Sequence, residues 1–277
     1  MQDEPALTGP QARQRKVALK TTGVNSMKKL VLPGMLAALL LAMPGAQASC
    51  HAALKARLPQ SGTIIFGEMH GTREIPAFFS ACVRDFIDHG EQVRVFLEFD
   101  ASDTEHTAKY LRGEIDEAAL LSSPRWLRHD GRTSQAILEL HRALKGVDVV
   151  GFAAEFNGAG GDAGMAENFL KHRVSAGYNL VLVGNSHARL VPSKSDGVQP
   201  YGQYVKAKLK DVISLDARYT RGEAWACAPY CEAVQMSGNE PGGATPARRI
   251  RFTAKDRAFN GYFSVGAISA SPPAVDK

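Results

Sequence analysis

The apolar positions of the chain fall into short unbroken runs separated by longer, interrupted ones. Thr63-Ile64-Ile65-Phe66, Val93 to Leu97, Val147 to Phe152, Asn179 to Val183 and Val212 to Leu215 are β-rich runs and read as strands. Between them, apolar residues recur at helical spacing. Ile75 to His89 sets Phe78, Phe79, Cys82, Val83 and Phe86 on one stripe and stops before Gly90. Ser134 to Lys145 aligns Ile137, Leu138, His141 and Leu144, and Gly146 closes it. Met165 to Ala176 ends at Gly177, and Tyr204 to Lys210 is a shorter helix. Residues 103–121 are polar and helical in pattern, as one helix or a pair covering a site. The tail, roughly 222–265, is Gly/Pro-rich and less regular, with Tyr262 to Val265 as a last strand. Apolar strands alternating with helices imply a central, mainly parallel β-sheet with helices on both faces, in one α/β domain.

The N-terminal region follows a different rule. Residues 1–26 are polar and without period, and Met27 is a candidate start. Met27-Lys28-Lys29, the apolar run Leu30 to Met43 and Ala46-Gln47-Ala48 have the order of a secretory signal, which assigns 27–48 to a signal peptide and 49–277 to the folded domain. The apolar run is too short to span a bilayer. No membrane span is therefore expected after cleavage, and a periplasmic or secreted location is.

Charge and cysteines sharpen this picture. The net charge of the 277 residues is +5. Most of the excess lies before residue 49, so the domain is near neutral and lacks the basic footprint that nucleic-acid binding needs. The four cysteines, Cys50, Cys82, Cys227 and Cys231, suit disulfides in an exported chain. A local Cys227–Cys231 bridge leaves Cys50 to pair with Cys82; a zinc site is the alternative.

In open parallel sheets, ligands bind beyond the carboxyl ends of the strands. The first strand runs into Gly67-Glu68-Met69-His70-Gly71-Thr72-Arg73-Glu74, the second ends in Glu98, and the fourth runs into Gly184-Asn185-Ser186-His187. Three strands thus deliver His or Glu to one edge, with a G-x-x-H spacing used twice. Imidazole exchanges protons near neutral pH, and carboxylates beside it fix its tautomer. His70, His187 and Glu68 would equally serve as ligands to Mn, Co or Zn. Each residue also has a plainer reading: Glu68 as a helix cap, Glu98 as the ion-pair partner of Arg73 or Arg132, His70 as a solvated loop residue. Glu74 suits a helix first turn, and Asn185 a turn or a substrate contact. Arg132, in Asp130-Gly131-Arg132-Thr133-Ser134, is a candidate clamp for a carboxylate or oxyanion, or a surface ion pair. The glycine-rich segment from Asn157 to Gly161 carries no phosphate-binding motif and reads as a turn, with Asp162 capping the next helix.

GEMHGTRE at 67–74 resembles the GE-x-HG-x-x-E signature of erythromycin-esterase-like proteins, and Glu98 and GNSHA at 184–188 fit the same pattern. That superfamily includes Tiki-type metalloproteases and ChaN-like haem-binding proteins, the latter closest in size; DGRTS at 130–134 is similar to a ChaN-like segment. The resemblance covers roughly 62–215. It implies a parallel-sheet α/β fold with both histidines in one cleft. It also implies His70 as general base on water, supported by Glu68 and Glu98 with His187 opposite, or His70 and His187 as metal ligands. The expected function is an exported hydrolase acting on an ester or amide of a small molecule or peptide, with Arg132 steadying the oxyanion. A haem- or metal-binding uptake protein without turnover, and a structural relative that has lost activity, are the alternatives.

Overall fold

The structure is a computed structural model that describes residues 49–153, 161–194, 197–227, 230–240 and 249–275. The leader and most of the glycine-rich turn, residues 157–160, lie outside the described residues. The strands among the described residues are β1 (Gly62–Glu68), β2 (Val93–Asp100), β3 (Asp148–Ala153), β4 (Tyr178–Gly184), β5 (Val212–Arg218), β6 (Arg221–Cys227), β7 (Cys231–Ser237), β8 (Arg249–Phe252) and β9 (Gly261–Ser264). The helices are α1 (Cys50–Lys55), α2 (Glu74–Asp88), α3 (Thr104–Leu111), α4 (Glu117–Leu121), α5 (Gln135–Ala143), α6 (Gly161–His172), α7 (Asn185–Ala188) and α8 (Tyr201–Lys208).

Seven strands make one sheet in the order β3-β2-β4-β1-β5-β9-β8, parallel except for β8. The expected α/β architecture is therefore observed. The position of β4 matters most for function. It inserts between β1 and β2, with Glu68 level with Gly184 and Leu97 level with Leu182. The ends of three strands that are distant in sequence thereby lie side by side.

Both faces of the sheet are covered. Ile64, Phe66 and Leu182 pack with Phe79 and Phe86 of α2 and Leu138 of α5 in one core; Ile65, Val181 and Val183 pack with Phe169 of α6 and Tyr201 and Val205 of α8 in the other. Period-two alternation along β1 divides its residues between these cores. Complete burial of Phe79 and Phe86 contributes roughly 1.5–3 kcal/mol each. Gly90 ends the α2 region in a left-handed turn, with φ +79°.

Two disulfides staple this frame, Cys50–Cys82 and Cys227–Cys231, in the expected pairing. They fit an oxidising, extracellular or periplasmic setting. Among the described residues, no helix is long and apolar enough to cross a membrane.

The structure is more regular than the sequence pattern in the tail. Residues expected to be irregular form the antiparallel β6–β7 hairpin and the edge strand β8. Glycines and short polar residues hide their alternation. Helix α6 also begins before Met165, because Gly161 and Gly164 mask its first turn, and α8 begins at Tyr201 rather than Tyr204.

Candidate functional site

The site assembles over the end of β4, where Gly184 leaves the space that a side chain would fill. A Cβ on Gly184 would lie 2.9 Å from His70 Nε2, 3.4 Å from Glu98 Oε2 and 3.4 Å from His187 Cδ2. The two imidazoles and Glu98 therefore flank the same glycine, and Glu68 joins them through His70. The strand ends meet as the chain pattern implied.

His70 is held between acids. Glu68 Oε1 lies 2.8 Å from its Nδ1, and Glu98 Oε2 lies 3.4 Å from its Nε2. Burial by itself lowers the pKa of the ring, but the negative charges of Glu98 and Glu68 and their hydrogen bonds outweigh it, raising the pKa to about 10. His70 is an imidazolium at neutral pH. Glu98 responds in the opposite sense: burial raises its pKa, but His70 and the Gly184 N–H prevail and hold it down at about 2. That backbone N–H donates to Glu98 Oε2 at 2.7 Å.

Arg132 completes this half of the site. It donates to Glu98 Oε1 at 3.3 Å and to Asp130 Oδ2 at 2.8 Å. Asp130 also accepts from the Arg132 backbone N–H, which fixes the short turn Gly131–Thr133. The turn packs directly on the His70 loop: a Cβ on Gly131 would meet the Gly71 N–H at 2.5 Å. Arg132 is thus an ion-pair partner of Glu98, while Arg73 turns away to the Ala270 carbonyl.

The other half is a His–Asp pair. Asp162 Oδ1 lies 2.8 Å from His187 Nδ1 and accepts from the Tyr201 N–H at 2.6 Å. The Asp162 hydrogen bond is the largest cause of a raised His187 pKa, with burial opposing and Glu98 adding to it. Among the described residues, no hydrogen bond takes His187 Nε2, and a third of the side chain is exposed. Asp162 was expected only to cap a helix. Its signal in the sequence is faint: an acid in a glycine-rich stretch far from either G-x-x-H motif.

The chain matches no protein-family model and no curated protein by sequence. Among solved structures, it is similar to a succinoglycan biosynthesis protein with a TM-score of 0.61, at 10% identity over 80% of this chain and 92% of that one. It is similar to a Bacillus cereus protein with a TM-score of 0.59, at 11% identity over 83% of this chain and 96% of that one. A ChaN protein of Campylobacter jejuni that binds haem cofacially matches with a TM-score of 0.44, at 13% identity over 60% of this chain and 85% of that one. At these identities the likeness is one of fold, and the last is too slight to bear on the site.

The expected metal set of His70, His187 and Glu68 is not arranged as one. Among the described residues, no group of three or more His, Cys, Asp or Glu side chains is placed to hold a metal ion. Both ring nitrogens of His70 face carboxylates, Glu68 Oε1 at 2.8 Å and Glu98 Oε2 at 3.4 Å. Glu74 and Asn185 stand outside the cluster. Glu74 accepts from the Ser269 N–H at 2.8 Å, tying the tail to α2. Asn185 hydrogen-bonds Asp216, a carboxylate at the end of β5 that burial pushes up to about 6.

Proposed function

We propose that the protein is an exported hydrolase in which His187 activates water and the His70 imidazolium stabilises developing negative charge. The observation that carries this reading is the contrast between the two histidines around Gly184. One is clamped by two acids and charged. The other is oriented by one acid and offers an open Nε2.

In this reading, His187 Nε2 takes a proton from water as its oxygen bonds to the carbonyl carbon of an ester or amide. Asp162 holds the tautomer and steadies the imidazolium that forms. The carbonyl oxygen becomes an oxyanion, opposed by His70 and Arg132. His187 then returns the proton to the leaving alcohol or amine as the carbon–heteroatom bond breaks. The order of roles differs from that implied by the resemblance, in which His70 is the base. A ring already protonated between Glu68 and Glu98 is a donor of charge, not an acceptor of protons. A bound divalent ion would add a Lewis acid, but His70 would first have to leave a carboxylate.

The test is turnover on a panel of small esters and peptides by the wild type and by His187→Ala and His70→Gln. Both variants are expected to lose at least about 100-fold in kcat/KM, the usual scale for a catalytic acid or base, while staying folded by circular dichroism. A wild type inert on the whole panel, with or without added Mn, Co or Zn, refutes the hydrolase. A Soret shift at stoichiometric haem that vanishes in His187→Ala would instead support haem uptake.

A further inference from the structure

The catalytic reading leaves one buried cation unused. Arg125, on the short 3-10 turn Pro124–Arg128, is 5% exposed, and its guanidinium carbon sits 4.1 Å from the Phe99 ring centroid and 4.9 Å from that of Trp126. These rings fix its plane. Its Nη1 is fully buried and, among the described residues, no oxygen accepts from it. Burial pushes the guanidinium down to about 10, against Asp103, Asp100 and Asp130, so it remains a cation at neutral pH. A charged donor buried without an acceptor is destabilising, so the fold should supply one.

Arg125 lines a small cavity behind the site. Glu68, Glu98 and Arg132 share the lining, and Leu97 and Leu182 close it on the core side. The cavity measures about 10 Å³, room for one water and nothing larger. Its polar lining supplies the several partners that a buried water requires.

The geometry points to a bound water in this cavity that accepts from Arg125 Nη1 and donates to the Glu68 and Glu98 carboxylates, making Arg125 a positioning residue for the Glu68–His70–Glu98 cluster. The role of that cluster rests on the hydrolase reading, but the water and its coupling to Arg125 do not. Removing Arg125 leaves an uncompensated acid behind His70, so the ring should hold its proton more tightly.

Two measurements test this. A high-resolution crystal structure of the wild type should show one ordered water within hydrogen-bond distance of Arg125 Nη1 and of an oxygen of Glu68 or Glu98. Ring nitrogen titration by NMR should find the His70 pKa raised by about half a unit or more in Arg125→Met, and near its wild-type value in Arg125→Lys. A dry cavity, or Arg125 bonded directly to Asp100 or Asp103, overturns the proposal. So does an unchanged His70 titration in folded Arg125→Met. If that variant does not fold, the wild-type crystal structure still decides. Neither readout uses turnover, so an inert enzyme would sink the hydrolase without touching this result.

Discussion

At the scale of single residues, the two histidines are the same group given opposite tasks by their neighbours. His70 faces two buried acids and keeps its proton to about pH 10. The Asp162 hydrogen bond raises His187 above its ordinary value of 6.5. Hydrolysis by the proposed route needs His187 neutral and His70 charged. The kcat/KM profile should therefore rise with a midpoint above the 6.5 of a free imidazole and fall again toward pH 10. Asp162→Asn should move the rising limb to lower pH, and an unmoved limb would dissociate His187 from the base. Stability follows the same charges. The folded-state pKa of His70 is raised, so its contribution is complete below 6.5 and disappears as pH rises to about 10. Denaturant unfolding of wild type and His70→Gln should show a difference that is largest at pH 6.5 and shrinks by pH 10.

The next scale is that of the elements, where loops that carry site residues are braced by strands that carry none. Gly71 has φ +74°, a conformation that glycine adopts without strain, and its carbonyl accepts from Trp225 of β6 at 2.9 Å and from Ser271 at 2.8 Å. The Trp225 indole donates to the His129 carbonyl at 3.2 Å, beside the turn that carries Asp130 and Arg132. The β6–β7 hairpin thus fixes both loops of the His70 half, and Cys227–Cys231 ties its end. The two disulfides should contribute unequally to stability, because a cross-link stabilises mainly by the length of chain it closes. Cys50–Cys82 spans 32 residues and Cys227–Cys231 only 4. Replacing the first pair by serine should cost about 3–4 kcal/mol, and the second about 2 kcal/mol or less. Urea unfolding of the two double variants measures this, and equal losses would contradict the loop-length argument.

At the scale of the whole molecule, the sheet, its covering helices and the returning tail hold one another in place. The last described segment crosses back over the site loops: Arg73 N–H donates to Ser269, Gln135 N–H to Pro272 and Ala136 N–H to the Ser271 hydroxyl. The tail joins the start of α2 to the start of α5, the helices that follow the His70 and Arg132 turns. Ending the chain at Gly266 should lower the melting temperature by several degrees, as loss of about 2 kcal/mol does in a domain of this size. It should lower kcat with little change in KM, because the turns that position the site lose their brace. A truncated chain with wild-type melting and turnover would reduce the tail to decoration.

The sequence determined the alternation of strands and helices, the disulfide partners, and the delivery of Glu68, His70, Glu98 and His187 to strand ends, because periodicity and motif spacing are local properties. It did not reveal the β6–β7 hairpin, whose residues lack strong alternation, or Asp162 and Arg125, whose meaning lies wholly in what they approach. Only the tertiary structure decided that β4 runs between β1 and β2 and sets a bare glycine among His70, Glu98 and His187. The ionisation of His70 followed from that choice, since the proton affinity of a ring depends on which charges fold against it and how much water they displace.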